Sequence, residues 1–346
     1  MRPFATTAIA SAVIFSVIFS VGFSVGAAPE GPGAIEHELA RVRAQVRASV
    51  PDNQRAPLLQ RLERAEAALG AQRTYQALYL LEAPYEGAAA FAFAASAGVQ
   101  SPNDFLAKWT ELGPPRPHRG APRRVPAAID ALAEAAEDRG PATYQASRPY
   151  AEDSGTDAGV YYLGESHAVM NYAAFARAGT WPDAGRRPAF RSIAAELAAF
   201  DREMTTKYET MQPASHPTYI RASAALKQAR SLDDHRALEG ALFEYLLARY
   251  LFAPLRGAPQ ADATSERIAA ARALLPASED HSIAQLFIQF AEEGLSSDNA
   301  DLRRGASAVI EDVIPAYLAA IASAAPTATS DASAPVTITL VRWPFT

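Results

Sequence analysis

Apolar residues recur every three to four positions along most of this chain, the spacing that places them on one face of an α-helix. The clearest example runs from 188 to 211, where the apolar stripe is Phe190, Ile193, Leu197, Phe200, Met204, Tyr208 and Met211. A stripe of this kind is typical of a helix packed on a core. Further helices are predicted at 34–49, 56–69, 74–97, 127–138, 142–151, 160–178, 265–275 and 298–323. A short helix is predicted to open at Ser101-Pro102, and another helix is predicted to be capped by Ser278. The pattern therefore predicts an all-α protein.

One stretch, 218–255, is predicted to form two helices joined by the polar turn SLDDHR. Its first helix carries Ile220, Ala224 and Leu226, and its second carries Leu238, Ala241, Leu242, Tyr245, Leu246 and Tyr250. A second copy lies 164 residues earlier, where Leu62, Ala65, Ala77, Leu78 and Tyr79 precede Leu226, Ala229, Ala241, Leu242 and Phe243. Because such a hairpin cannot bury its stripe alone, we expect stacked antiparallel hairpins.

The two hairpins, at 58–83 and 222–250, resemble tetratricopeptide-type helical-hairpin repeats. The resemblance rests on small residues beside a large one, in Ala77-Leu78-Tyr79 and Ala241-Leu242-Phe243. Leu69-Gly70 matches the Leu-Gly of that repeat, although its spacing to Tyr75 differs by two and a separation of 164 is not the period of an array. The resemblance implies hairpin packing, either TPR-like or as an irregular α-bundle, and a role as a binding scaffold.

Proline-rich sequence divides the pattern at 113–126, GPPRPHRGAPRRVP, which predicts an extended linker. Its arginines are Arg116, Arg119, Arg123 and Arg124, typical either of a soluble linker or of an anion-binding strap. The predicted domains are therefore an N-terminal helical domain at 28–112, this linker, and a C-terminal helical domain at 127–324. Inside predicted helices, Pro84 is expected to end or kink one and Pro315 to kink another.

The N-terminus has the pattern of a secretory signal peptide. Arg2 and the amino terminus give a positive start, an uncharged apolar run follows, and Val25-Gly26-Ala27 ends it with small residues. We expect cleavage after Ala27 and export to the periplasm or the extracellular space. The alternative is an uncleaved membrane anchor, because about 20 apolar residues can span a bilayer.

The C-terminal residues 325–346 are predicted to be a flexible tail with one terminal strand. Low-complexity sequence leads into VTITLVRWPFT, in which apolar and polar residues alternate. An isolated strand has unpaired backbone groups, which favours strand addition to a partner or docking on the helical body. The candidate partner-binding residues are Val336, Ile338, Leu340, Arg342, Trp343 and Phe345.

Composition limits the partners, cofactors and metal sites that the chain is expected to have. The chain has 346 residues and a net charge of −6, or −7 without Arg2, so nothing favours nucleic acid or stable membrane insertion after signal cleavage. There is no cysteine, which excludes disulfides, thiol catalysis and cysteine-ligated metals. Neither a metal-binding nor a nucleotide-binding motif occurs, so no cofactor and no metal site are predicted.

Only the predicted helix at 160–178 gathers chemically active side chains: Tyr161, Glu165, His167, Asn171 and Tyr172. Residues two apart on a helix point about 200° apart, so Glu165 and His167 are expected on opposite faces. We therefore interpret His167 as a structural histidine. The acidic pair Asp233-Asp234, elsewhere in the chain, is interpreted as solvated.

The sequence favours a non-enzymatic scaffold that contacts another envelope protein. The alternative is an enzyme or small-ligand binder with its pocket at these five residues.

Overall fold

The computed structural model describes residues 32–117, 125–257, 259 and 261–322. Throughout these residues the fold is all-α and contains no strand, which confirms the predicted fold class. The first helices are α1 Pro32–Ser49, α2 Asp52–Gly70, α3 Thr74–Ser96, α4 Pro102–Leu112, α5 Ala127–Asp153 and α6 Thr156–Ala178. The later helices are α7 Ala194–Tyr208, α8 His216–Asp234, α9 Leu238–Arg256, α10 Ser265–Ala273, α11 Ser282–Leu295, α12 Ala300–Ala308 and α13 Ile314–Ala322. A 3₁₀ turn precedes α8, and a π-helical segment, Val309–Val313, joins α12 to α13.

Contacts divide the chain into two compact units, Met1–Ala184 and Gly185–Thr346. This division differs from the sequence prediction, which placed the boundary at 113–126. The physical reason is that α4, before the predicted linker, packs on α5 and α6 after it. The Trp109 ring stacks on Tyr144 with centroids 4.6 Å apart, and its indole N–H donates to the Tyr144 carbonyl over 3.2 Å. The predicted linker therefore joins helices within one unit.

The two units repeat the same sequence of helices. Helices α2 and α8 have bounds 164 positions apart at both ends, and α3 and α9 begin 164 positions apart. In each unit the second helix packs on the third, the fifth on the sixth, and the third on the sixth, where α12 is the sixth helix of the second unit. This correspondence extends the hairpin copies of the sequence to whole units.

The hairpin turns match bond for bond. In α2–α3 the N–H groups of Ala71, Gln72 and Arg73 donate to carbonyls at 67, 69 and 68, and in α8–α9 the same bonds occur 164 positions later. Gln72 (φ 60°) and Arg236 (φ 64°) are the non-glycine residues with left-handed backbone among those described. Equivalent core positions buried in both copies include Leu62/Leu226, Ala65/Ala229, Ala68/Leu232, Ala77/Ala241 and Leu78/Leu242. The pairing found in the sequence is thus a repeat in the structure.

Prolines inside helices have milder effects than predicted. Pro84 does not end α3, and the two helices predicted at 127–138 and 142–151 are one helix, α5, with Pro141 and Pro149 inside it. The packing of α5 on α6 along its length offsets the backbone hydrogen bond that each proline removes. Pro315 has no N–H for the carbonyl of Glu311, and the helix widens into the π segment just before it.

Tertiary contacts also move two helix starts. The prediction that α7 begins near Pro188 is wrong because Asp233 accepts from the Ile193 N–H over 3.0 Å and from the Ser192 hydroxyl over 2.7 Å. Asp233 is therefore buried, not solvated as predicted. The prediction that Ser278 caps α11 is also wrong, since the Ser278 carbonyl and the Asp280 N–H pair with the backbone of Arg186.

Three predicted segments lie wholly or partly outside the described residues. These are the signal peptide at 1–27, the tail at 325–346 with its candidate binding residues, and positions 118–124 of the proline-rich linker. Their assignments stay predictions.

Candidate functional site

Helix α6 lies at the centre of the first unit and packs on α3, α4 and α5. Its sequence is apolar nearly all round, which is why the pattern indicates a buried helix. Gly164 allows α3 to approach closely, since a Cβ at this position would lie 2.7 Å from the Phe93 ring of α3. Two groups of polar side chains lie on opposite sides of α6, one facing α3 and one facing the end of α4.

The group that faces α3 is a buried charge cluster. Arg139 donates to Glu82 over 2.5 Å and to Glu86 over 2.7 Å from the same guanidinium nitrogen. Glu82 and Glu86 are one turn apart on α3, and both are buried. Glu165 of α6 also interacts electrostatically with Arg139 and Glu86. We call Glu82, Glu86, Arg139 and Glu165 the acidic cluster.

Burial and crowding shift the protonation of this cluster. Desolvation raises the pKa of Glu86 to about 8, Arg139 opposes this shift, and the charges of Glu82 and Glu165 add to it. Burial likewise raises the pKa of Glu165. Two guanidinium groups, Arg139 and Arg61, act on three carboxylates, so the cluster is expected to retain a proton at neutral pH.

Two of the predicted pocket tyrosines belong to this side of α6. The Tyr172 hydroxyl donates to the Leu78 carbonyl of α3 over 3.0 Å, and burial raises its pKa well above the usual range. The Tyr161 ring packs on Phe91 with centroids 4.7 Å apart, and burial also raises its pKa. Both hydroxyls therefore stay protonated at neutral pH.

The opposite side of α6 borders a groove of about 360 Å³. Its wall is the chain just after α4, from Leu112 to Arg116, and its floor includes His167, Met170 and Asn171. We call this the α4–α6 groove. Gly113 turns the wall with φ 64°, a left-handed conformation that glycine adopts without strain, while its N–H donates to the Trp109 carbonyl over 3.1 Å.

His167 is half-buried at this groove. Burial lowers its pKa, and a hydrogen bond to the backbone of Gly113 partly opposes that shift. Its Nε2 atom is buried and has no hydrogen-bond partner among the described residues. The ring is therefore expected to be neutral at pH 7, and its backbone bond holds the groove wall against α6.

The five residues of the predicted pocket therefore divide between two places. Tyr161, Glu165 and Tyr172 lie on the α3 side, whereas His167 and Asn171 line the groove. The helical spacing correctly separated Glu165 from His167. Sequence alone missed Glu82, Glu86 and Arg139, although two glutamates one turn apart in an otherwise apolar helix are a readable signal.

The second unit exposes a cluster of aromatic and apolar residues where α7 ends and α8 begins. The Tyr208 ring stacks on His216 with centroids 5.8 Å apart and contacts Tyr219 at 5.0 Å. Tyr208 is 53% exposed, and Ile220, one helical turn after His216 on the same face of α8, is 64% exposed. We call Tyr208, His216, Tyr219 and Ile220 the aromatic patch. The sequence assigned Tyr208 and Ile220 to apolar core stripes, and both assignments are wrong.

No group of three histidine, aspartate or glutamate side chains placed to hold a metal ion occurs among the described residues. Among the helices that the structure describes, none is both long enough and apolar enough to cross a membrane. Comparisons with protein-family models, curated proteins and solved structures find no match to this chain.

Proposed function

We propose that this protein is an exported, non-enzymatic helical interaction protein of the cell envelope, and that it binds another envelope protein through the aromatic patch. Export is supported by the signal-peptide pattern of residues 1–27. The observation that carries the binding role is the exposure of Tyr208 and Ile220 beside two further ring side chains.

The patch has the composition of a protein contact surface. Tyrosine is enriched in interface cores because its ring offers a large contact area and its hydroxyl keeps a polar contact. Single exposed apolar residues are ordinary, whereas a contiguous group marks an interaction site. Stacking on His216 already fixes the Tyr208 ring, so binding orders fewer side chains and costs less entropy.

The test is to cross-link the mature protein to its partners in envelope extract, and to compare variants of the aromatic patch with a control variant. Ile220→Glu and Tyr208→Ala are expected to remove a discrete cross-linked partner, because a buried unpaired charge or a lost aromatic anchor costs about 2 kcal/mol or more at an interface. Leu274→Glu is the matched control, since Leu274 is 59% exposed in the same unit and lies outside the patch.

Three results would contradict the proposal. One is a cross-linking pattern that Ile220→Glu leaves unchanged. Another is equal loss with Leu274→Glu, which would indicate nonspecific adhesion. The third is a cross-linked product that contains two copies of this chain and no other protein, which would assign the patch to self-association.

The tail supplies a second arm of the same test. A truncated chain that ends at Pro335 lacks the predicted strand and its proposed anchor residues, Trp343 and Phe345. If the tail is presented to a partner, this chain keeps its helical circular dichroism and melting temperature but loses a partner. If truncation lowers the melting temperature, the segment stabilises the helical body instead.

A further inference from the structure

We propose that the α4–α6 groove is a binding site for a small organic anion, a carboxylate attached to an apolar body. This site is separate from the aromatic patch, which lies in the other unit. The proposal therefore stands or falls independently of the partner-binding role.

The chain segment that includes the groove wall is longer than a connection between α4 and α5 requires. In the second unit the equivalent helices, α10 and α11, are joined by 274–281, whereas α4 and α5 are joined by 113–126. The connection in the first unit is thus six residues longer, although the two helices it joins pack on each other in both units. The described part of the extra chain, Gly113–Arg116, forms the groove wall.

The wall is stiff and its shape is fixed. Gly113 ends α4 with a left-handed φ of 64°, and Pro114 and Pro115 lock the next two φ angles. The bond between His167 and the Gly113 backbone ties this wall to α6. A site whose walls are held in place binds at a lower entropic cost than one that must order on binding.

The groove pairs an apolar surface with a cation. Leu112, Met170 and the two prolines supply apolar area, and Arg116 and Asn171 supply donors beside it. Arg116 is exposed and makes no ion pair within the described part of the chain. An arginine fork matches a carboxylate with two parallel hydrogen bonds, and the volume of about 360 Å³ suits a small ligand.

The probe is 4-phenylbutyrate, titrated into the mature full-length protein by isothermal calorimetry, with 4-phenylbutanol as its uncharged analogue. We expect saturable binding of the acid and binding of the alcohol at least about tenfold weaker, because the alcohol cannot form the charge-assisted pair with Arg116. Arg116→Gln is expected to weaken the acid by a similar factor. Arg148→Gln, which removes an exposed arginine of the same unit, is expected to leave binding unchanged.

His167 provides a readout that a merely structural role of Arg116 would not affect. A bound carboxylate in the groove favours the protonated ring, so the midpoint of the His167 imidazole titration by NMR is expected to rise with ligand. Acetyl-glycyl-phenylalanine and its C-terminal amide test whether the natural ligand is a peptide C-terminus or a free small acid. A groove for peptide C-termini binds acetyl-glycyl-phenylalanine more tightly than 4-phenylbutyrate.

The proposal is overturned if 4-phenylbutyrate does not saturate the protein. Equal affinity of acid and alcohol overturns it too, as does equal loss in Arg116→Gln and Arg148→Gln. Circular dichroism of each variant guards against misfolding, which is not expected because both arginine side chains are largely exposed.

Discussion

Equivalent positions of the two units carry opposite chemistry. Glu82 and Glu86 of α3 correspond to Leu246 and Tyr250 of α9, 164 positions later. The same hairpin therefore also forms with leucine and tyrosine at these positions. The comparison teaches that the buried carboxylates of the first unit are not required by the fold, and that their burial sets a protonation property that the second unit lacks there.

The second unit has its own partly buried ion cluster, in which two arginines share one carboxylate and Arg256 also pairs with Glu203. Arg249 and Arg256 both donate to the carboxylate of Asp312, which lies in the π segment. Burial opposes ionisation of Asp312, but the hydrogen bonds and charges of the two arginines outweigh it and lower its pKa. Several carboxylates around Glu86 in one unit, and two arginines on one carboxylate in the other, thus give pKa shifts in opposite directions.

The largest effect is expected for Asp312→Asn. Removing the carboxylate takes away the shared partner of both arginines and leaves Arg249 bonded to the Tyr245 hydroxyl and Arg256 bonded to Glu203. Breaking a buried pair from one side costs about 3–5 kcal/mol. Because this site is partly exposed, we expect about 2–3 kcal/mol, measured as faster amide hydrogen exchange in α9. Asp301→Asn is the control, since Asp301 forms an exposed i,i+3 pair and should change exchange little. Unchanged exchange in Asp312→Asn would show that the arginine cluster contributes no net stability.

The acidic cluster predicts a pH dependence for the first unit. The folded pKa of Glu86, about 8, lies above its unfolded value near 4.5, so the folded state holds the extra proton between these values. Stability is therefore full below about pH 4.5 and falls as pH rises towards 8, by at most about 1.4 kcal/mol per pH unit. Hydrogen exchange in α3, corrected for the intrinsic pH dependence, measures this slope.

Glu86→Gln separates Glu86 from other titrating groups. The amide is uncharged at every pH, so the variant should lose most of the slope in α3 between pH 5 and 8. Glu63→Gln, an exposed change on α2, is the control and should keep it. A wild-type α3 whose protection stays constant over this range would contradict the raised pKa.

The smallest expected effect tests the repeat itself. Gln72 and Arg236 occupy the same left-handed position in equivalent turns, where glycine avoids the strain of a side chain. Gln72→Gly and Arg236→Gly should each stabilise their own unit by about 0.5–1 kcal/mol. The free energy of unfolding of each unit is measured by monitoring its hydrogen exchange as the urea concentration is raised. Opposite signs in the two units would mean that the turns differ energetically despite matching bonds.

The sequence by itself determined the fold class, most of the helices and the pairing of the two hairpins. Apolar spacing is a local property that survives in every copy, so it marked Leu62 with Leu226 and Ala77 with Ala241 without any structure. Helical geometry likewise placed Glu165 and His167 on opposite sides of α6.

Only the tertiary structure decided which groups meet and where helices begin. Arg139 reaches Glu82 and Glu86 across more than fifty residues of chain, and Asp233 sets the start of α7 from the end of α8. Tyr208 matches the buried stripe of α7 in spacing but is exposed at the helix end. Burial depends on whether another helix covers a residue, and periodicity within one helix carries no information about where its neighbours end.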